Sequence, residues 1–156
     1  MYVYNAMKKT LWITKHFNDL TSTEIYDMFV IRQQVFIVEQ DCAYQDVDDK
    51  DKNSYHLFGY NGDYLSAYLR IVPPKTSYKE VSIGRVLTSK SDRNLGLGKI
   101  LMKKGINEVE RIFKTKMIRI SAQTYLIKFY KDLGFIMVGE PYLEDNIPHI
   151  EMILMS

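Results

Sequence analysis

One cysteine, Cys42, stands among 156 residues, so no internal disulfide can form and a reducing compartment is expected. Long apolar runs are missing: none approaches the roughly 18 residues of a membrane-spanning helix. The first ten residues, MYVYNAMKKT, lack the apolar stretch and small-residue cleavage site of a signal peptide. Charge of one sign is not in excess either. Lys and Arg number 21 against 19 Asp and Glu, a net charge of +2, which argues against a general nucleic-acid binder. With 4 prolines, 8 glycines, no repeat and no low-complexity linker, nothing marks a second domain. What remains, at 46% hydrophobic and 26% charged residues, reads as one globular domain over 1–156, expected in the cytoplasm and off the membrane.

Local patterns predict the elements. Leu11 to Thr14 is a short strand, and Thr21-Ser22-Thr23-Glu24 has the spacing of a capping box that opens a helix. Ile25, Met28, Phe29, Val35 and Phe36 share one face of that helix, interrupted by Arg32, which is expected to snorkel at the face's edge. Asp41 to Asn53 is a loop carrying Asp41, Asp46, Asp48, Asp49 and Asp51. It lacks the glycine and closing glutamate of a calcium loop, so a solvated loop without metal is expected, one that can still draw a cationic substrate. Tyr55 to Tyr60 and Tyr64 to Val72 are strands joined by a hairpin turn at Asn61-Gly62-Asp63. Further strands are expected at Val81 to Thr88, Met117 to Ala122, Phe135 to Val138 and Ile150 to Leu154, with helices at Leu97 to Lys114 and Tyr125 to Leu133. The order β-α-β-β-β-α-β-α-β-β implies a mixed α/β sheet of about seven strands. Its tyrosine-rich strands suit either a sheet core or a homodimer surface.

Two stretches carry chemistry. In the first, the strand Val81 to Thr88 runs through a short loop into Arg93-Asn94-Leu95-Gly96-Leu97-Gly98-Lys99, where a helix opens. Free amides at a helix start, at the positive end of its dipole, bind anions; Gly96 and Gly98 leave room for a phosphate, and Arg93 and Lys99 add charge. The spacing R-x-x-G-x-G is neither a P-loop nor the dinucleotide fingerprint. In the second, Ser121-Ala122-Gln123 leaves a strand, Phe129-Tyr130 lies in the next helix, and Gly134-Phe135 ends it.

Together these two motifs, in this order, resemble the GNAT acetyltransferase superfamily over about Val81 to Val138. Val35 to Gln40, Tyr44 to Asp48, Ile83 to Val86, Ala122-Gln123 and Glu144 to Ile150 extend the likeness to the ElaA-like branch of that superfamily. Gln123 and Leu126 stand where many members have Asn and Ala, and Lys90 where Pro is frequent; neither change removes an amide donor. The resemblance implies a mostly antiparallel sheet with helices on both faces.

It also implies acetyl-CoA as co-substrate and a primary amine as acceptor, joined in a ternary complex. The diphosphate is then expected on the amides of Arg93, Asn94, Leu95, Gly96, Leu97, Gly98 and Lys99, and the pantetheine arm along Val86, Leu87 and Thr88, with Gln123 nearby. Tyr130 matches the family's usual general acid for the departing thiolate. The base is open among Glu39, His56, His149 and Glu151; His149 and Glu39 are the leading candidates, although His149 also suits a hydrogen-bonded strand end and Glu39 a cation-binding role. Tyr44, Tyr142 and Glu144 are candidates for the rim of the cleft. A CoA-sensing or interaction module without turnover is the second reading, because no base is unambiguous.

Overall fold

A computed structural model describes residues 9–155; the reading of the amino terminus as lacking a signal segment falls outside them. Among the described residues, seven strands form one sheet in the order β1-β2-β3-β4-β5-β7-β6. They are β1 (Leu11–His16), β2 (Tyr55–Asn61), β3 (Tyr64–Val72), β4 (Val81–Thr88), β5 (Ile118–Gln123), β6 (Ile136–Glu144) and β7 (Ile147–Leu154). Three α-helices accompany them among the same residues: α1 (Ser22–Arg32), α2 (Leu97–Phe113) and α3 (Ile127–Lys131). Every strand pair is antiparallel except β4 with β5. The expected order, mixed sheet and helices on both faces are what the chain adopts. Among the described residues no helix is long and apolar enough to cross a membrane.

The capping box forms as read: Glu24 N–H donates to Thr21 Oγ1 at 3.2 Å, and Thr21 N–H donates to Glu24 Oε2 at 2.8 Å. Beyond Arg32 the helix widens into a π-helical stretch, Gln33–Glu39, which carries Glu39 to Arg93, beyond the end of β4. Alternation along β3 divides the core. Leu69 and Ile71 pack with Leu57, Val81 and Ile83 beneath Leu101, Met102 and Val109 of α2. Tyr68 packs on the other face with Phe58 beneath Met28, Ile31 and Val35 of the first helix. A β-carbon on Gly105 would sit 2.7 Å from Leu69 Cδ2, so glycine at that position lets α2 lie close on the sheet.

The closing strands are longer than the sequence pattern suggests. Asp145 and Asn146, both at positive φ (48° and 61°), turn β6 directly into β7. The stretch hides from a periodicity reading because β6 is exposed along most of its length and a bulge between Val138 and Tyr142 breaks its alternation.

Two expectations are corrected. Arg32 does not snorkel; it is fully buried, donating from Nε to Asp46 Oδ2 (2.8 Å), from Nη1 to Asp51 Oδ1 (2.7 Å) and from Nη2 to the Asp46 carbonyl (2.9 Å). Nor is the acidic loop simply solvated. Asp46 and Asp51 are buried, Arg70 Nη1 donates to Asp48 Oδ1 (2.6 Å) and Asp51 Oδ1 (2.8 Å), and Arg85 Nε lies 2.8 Å from Asp46 Oδ1. Three guanidinium groups and three carboxylates neutralise one another, which is the condition under which buried charge is tolerated. Those aspartates are therefore committed to holding the loop, and they are unavailable to draw in a cation.

Candidate active site

The site begins where β4 and β5 part. Their parallel pairing consists of Val81 with Ile118 and Ser82 with Arg119; beyond that both strands run on without a shared ladder. Just past that point β4 bulges. Tyr68 pairs with Leu87 and Arg70 with Gly84, so Arg85 and Val86 together face Leu69, and Arg85 takes a left-handed φ of 51°. This bulge also reverses the alternation, turning Leu87 towards the first helix although Ile83 faces α2. Between the separated strands opens a cavity of about 1180 Å³, lined by residues 82–88 and by Ile120, Ser121 and Gln123. Strand-edge groups of β4 past Ser82 are left without partners from β5.

At the end of β4 the chain enters α2. Ser89 Oγ donates to Asp92 Oδ2 at 2.6 Å, holding the turn, and Arg93 reaches back from Nε and Nη2 to the Thr88 carbonyl (3.3 and 3.2 Å). Asn94 and Gly96 both have positive φ, 66° and 75°, and no side chain caps the helix start. Among the described residues, a β-carbon would meet nothing within 4 Å at Gly96 and only the Phe129 ring, Cζ at 3.8 Å and Cε2 at 3.9 Å, at Gly98. Space above the first turn of this 17-residue helix is thus open, and its amides point their dipole at it. A diphosphate fits this cradle, and an amide-bearing arm fits the unpaired edge.

Arg93, Asn94, Gly96, Leu97, Gly98 and Lys99 all line the cavity, as do Val86, Leu87, Thr88 and Gln123. Gln123 Nε2 donates to Gln40 Oε1 at 3.5 Å, linking β5 to the segment after the first helix. Leu95, the remaining member of the loop, is exposed.

Tyr130 lines the same cavity from α3. It is buried edge-on between Phe129 and Phe135, with centroids 5.1 and 5.8 Å away, and burial pushes its phenol above the ordinary tyrosine range. Its hydroxyl makes no hydrogen bond among the described residues, so it is held as a neutral O–H free to donate.

The four candidate bases separate clearly. His56 is wholly buried away from the cavity, bonded to the Tyr68 hydroxyl (2.7 Å) and the Asp51 carbonyl (2.9 Å), and burial lowers its pKa to about 4. Glu151 is tied to Arg119 Nη1 at 2.9 Å and does not line the cavity. Glu39 lines it, but accepts from Arg93 Nη2 at 2.7 Å. His149 lines it too, with Nδ1 2.6 Å from the Ile147 carbonyl. A carbonyl only accepts, so Nδ1 carries a hydrogen, and Nε2 lies 3.4 Å from Glu144 Oε2.

Of the rim candidates, Tyr44 and Glu144 line the cavity, Glu144 accepting from Ser121 Oγ at 3.1 Å; the Tyr142 hydroxyl instead pairs with the Ser121 hydroxyl. Tyr78, between β3 and β4, also lines the cavity, and no sequence signal marks it. Arg85 is a further addition, visible beforehand only as one letter of the Ile83-Gly84-Arg85-Val86 stretch.

Comparison with known proteins agrees with this geometry. A family model described as an acetyltransferase (GNAT) domain matches residues 18–156. A UPF0039 protein of Synechocystis is 44% identical over 143 residues, covering 91% of this chain and 93% of that protein. In structure, the chain is similar to an acyl-CoA N-acyltransferase from Pseudomonas aeruginosa, with a TM-score of 0.87 and 41% identity over 92% of this chain and 99% of that one. Escherichia coli ElaA superposes with a TM-score of 0.85 and 37% identity, again over 92% and 99%.

Proposed function

This chain belongs to the GNAT acetyltransferase domain family, and from that premise we propose that it is an acyl-CoA-dependent N-acyltransferase. In this reading it moves an acetyl group from acetyl-CoA to a primary amine of a small molecule or protein, by direct attack in a ternary complex. One observation carries the reading: β4 and β5 part beside an uncapped, glycine-opened helix start, so that an unpaired strand edge and a set of free amides share one cavity. The 41% identity to an acyl-CoA N-acyltransferase supports the choice of donor.

The amides of residues 93–99 hold the diphosphate, and the edges of Val86, Leu87 and Thr88 align the arm as an added strand would. Bound there, the co-substrate supplies an activated acyl carbon. His149 Nε2, with its tautomer set by the Ile147 carbonyl, takes the proton that the amine must shed to bond carbon. Tyr130, kept protonated by burial, gives its hydroxyl proton to the departing sulfur. Glu39, whose carboxylate is engaged by Arg93, is the alternative proton acceptor.

The test joins calorimetric titration with acetyl-CoA to a thiol-release assay over a panel of amines. Binding with sustained thiol release is expected; an absence of binding overturns the reading. The engagement of Glu39 and Glu151 by arginines favours a second reading, a CoA-binding module without turnover, for which binding without thiol release is the signature.

A further inference from the structure

Arg85 is the only non-glycine residue within a strand, among those described, whose backbone enters the left-handed region; the others with positive φ sit in turns or at a helix end. Such a conformation is unfavourable for a side chain bearing a β-carbon and persists when its surroundings hold it. Here the holding is done by the side chain itself. Arg85 Nη2 donates to the Asp46 carbonyl at 3.1 Å and lies 3.5 Å from Asp48 Oδ2, Nε makes an ion-pair contact 2.8 Å from Asp46 Oδ1 without hydrogen-bond geometry, and the guanidinium carbon sits 5.8 Å from the centre of the Tyr44 ring. Both aspartates are anchored in turn, Asp46 by the buried Arg32 and Asp48 by the buried Arg70. The bulge of β4 is therefore leashed to a rigid frame, and β4 leaves β5 after Ser82, just before it.

We propose that Arg85 is a positioning residue of the acyl-CoA crevice: its clasp on the Asp46–Asp48 loop holds the β4 bulge in place, keeps the edge of Val86 to Thr88 from re-pairing with β5, and seats Tyr44 on the cavity wall. The proposal rests on the acyl-CoA reading of the cavity. It accounts for two stretches, Tyr44 to Asp48 and Ile83 to Val86, that contribute no group to the proton transfers: one supplies the carboxylates and the other the arginine.

The decisive variant is Arg85→Gly, which still permits the left-handed backbone but removes the clasp. Its fold is expected to persist, because Asp46 keeps Arg32 and Asp48 keeps Arg70. Acetyl-CoA titrated by calorimetry, well below the melting temperature of each protein, is expected to bind Arg85→Gly about tenfold more weakly than the unaltered protein. Arg85→Lys retains the charge but not the forked donors, and is expected to fall between the two. A purely structural role lowers the melting temperature and leaves the affinity of the folded protein unchanged, so a folded Arg85→Gly or Arg85→Lys that binds as tightly as the unaltered protein overturns the proposal. Should Arg85→Gly not fold, Arg85→Lys alone decides. Failure of the unaltered protein to bind acetyl-CoA overturns the acyltransferase reading instead, and this one with it.

Discussion

Glu39 Oε2 accepts a hydrogen bond from Arg93 Nη2 at 2.7 Å, joining the end of the first helical segment to the glycine loop across 54 residues of chain. Both side chains are part-exposed, at 22% and 37%, so water screens the pair and it contributes at most about 1 kcal/mol. Glu39→Gln is therefore expected to weaken acetyl-CoA binding by no more than about fivefold, measured by calorimetry, while turnover persists. A loss of kcat of about a hundredfold or more at unchanged affinity would instead make Glu39 the proton acceptor.

Tyr130 and His149 are expected to act on turnover and not on binding. Tyr130→Phe removes a hydroxyl without a hydrogen-bond partner among the described residues, so its melting temperature should match that of the unaltered protein. Each of Tyr130→Phe and His149→Ala should lower kcat by about a hundredfold or more with little change in the dissociation constant for acetyl-CoA. Thiol release and calorimetry read the two quantities separately.

Gly96 and Gly98 should respond with opposite signs in stability. At Gly96, φ of 75° strains any other residue, and Gly96→Ala is expected to lower the melting temperature by about 3 °C, equivalent to roughly 1 kcal/mol. Gly98 lies inside the helix, where Ala is favoured by about 1 kcal/mol, so Gly98→Ala should melt higher. Both methyl groups enter the open space over the first turn, and both variants should bind acetyl-CoA more weakly. Scanning calorimetry with titration separates the effects.

Acid should destabilise the fold through His56. Its ring is held neutral, accepting at Nδ1 from the Tyr68 hydroxyl and donating from Nε2 to the Asp51 carbonyl, and burial lowers its pKa from 6.5 to about 4. Between those values the unfolded chain binds a proton that the folded chain does not, so stability is complete above about 6.5 and declines as pH falls towards 4, by roughly 3 kcal/mol in all. Burial opposes the charge on Asp51, yet Arg32 and Arg70 hold its pKa below the ordinary value, and it extends the same loss to lower pH. Urea midpoints across this range should fall with acid, and His56→Gln should flatten the slope above pH 4.

Much of the architecture was legible because its signals are local. The Thr21 to Glu24 box, the turn at Gly62-Asp63 and the helix after Gly96 each depend on residues within a turn of one another, and each appears where its spacing placed it. The β6–β7 hairpin was only half legible, since an exposed strand with a bulge carries no apolar alternation.

The site divides along the same line. Sequence alone determined the order of elements, the glycine-opened helix start, and the tyrosine two elements later, because each is written in neighbouring residues. Tertiary structure alone decided that Arg32, Arg70 and Arg85 absorb the acidic loop, that His56 is core and His149 faces the cavity, and that β4 leaves β5 after Ser82. The arginine–aspartate contacts among them join partners 14 to 39 residues apart, and no local pattern records which distant charge will cancel which.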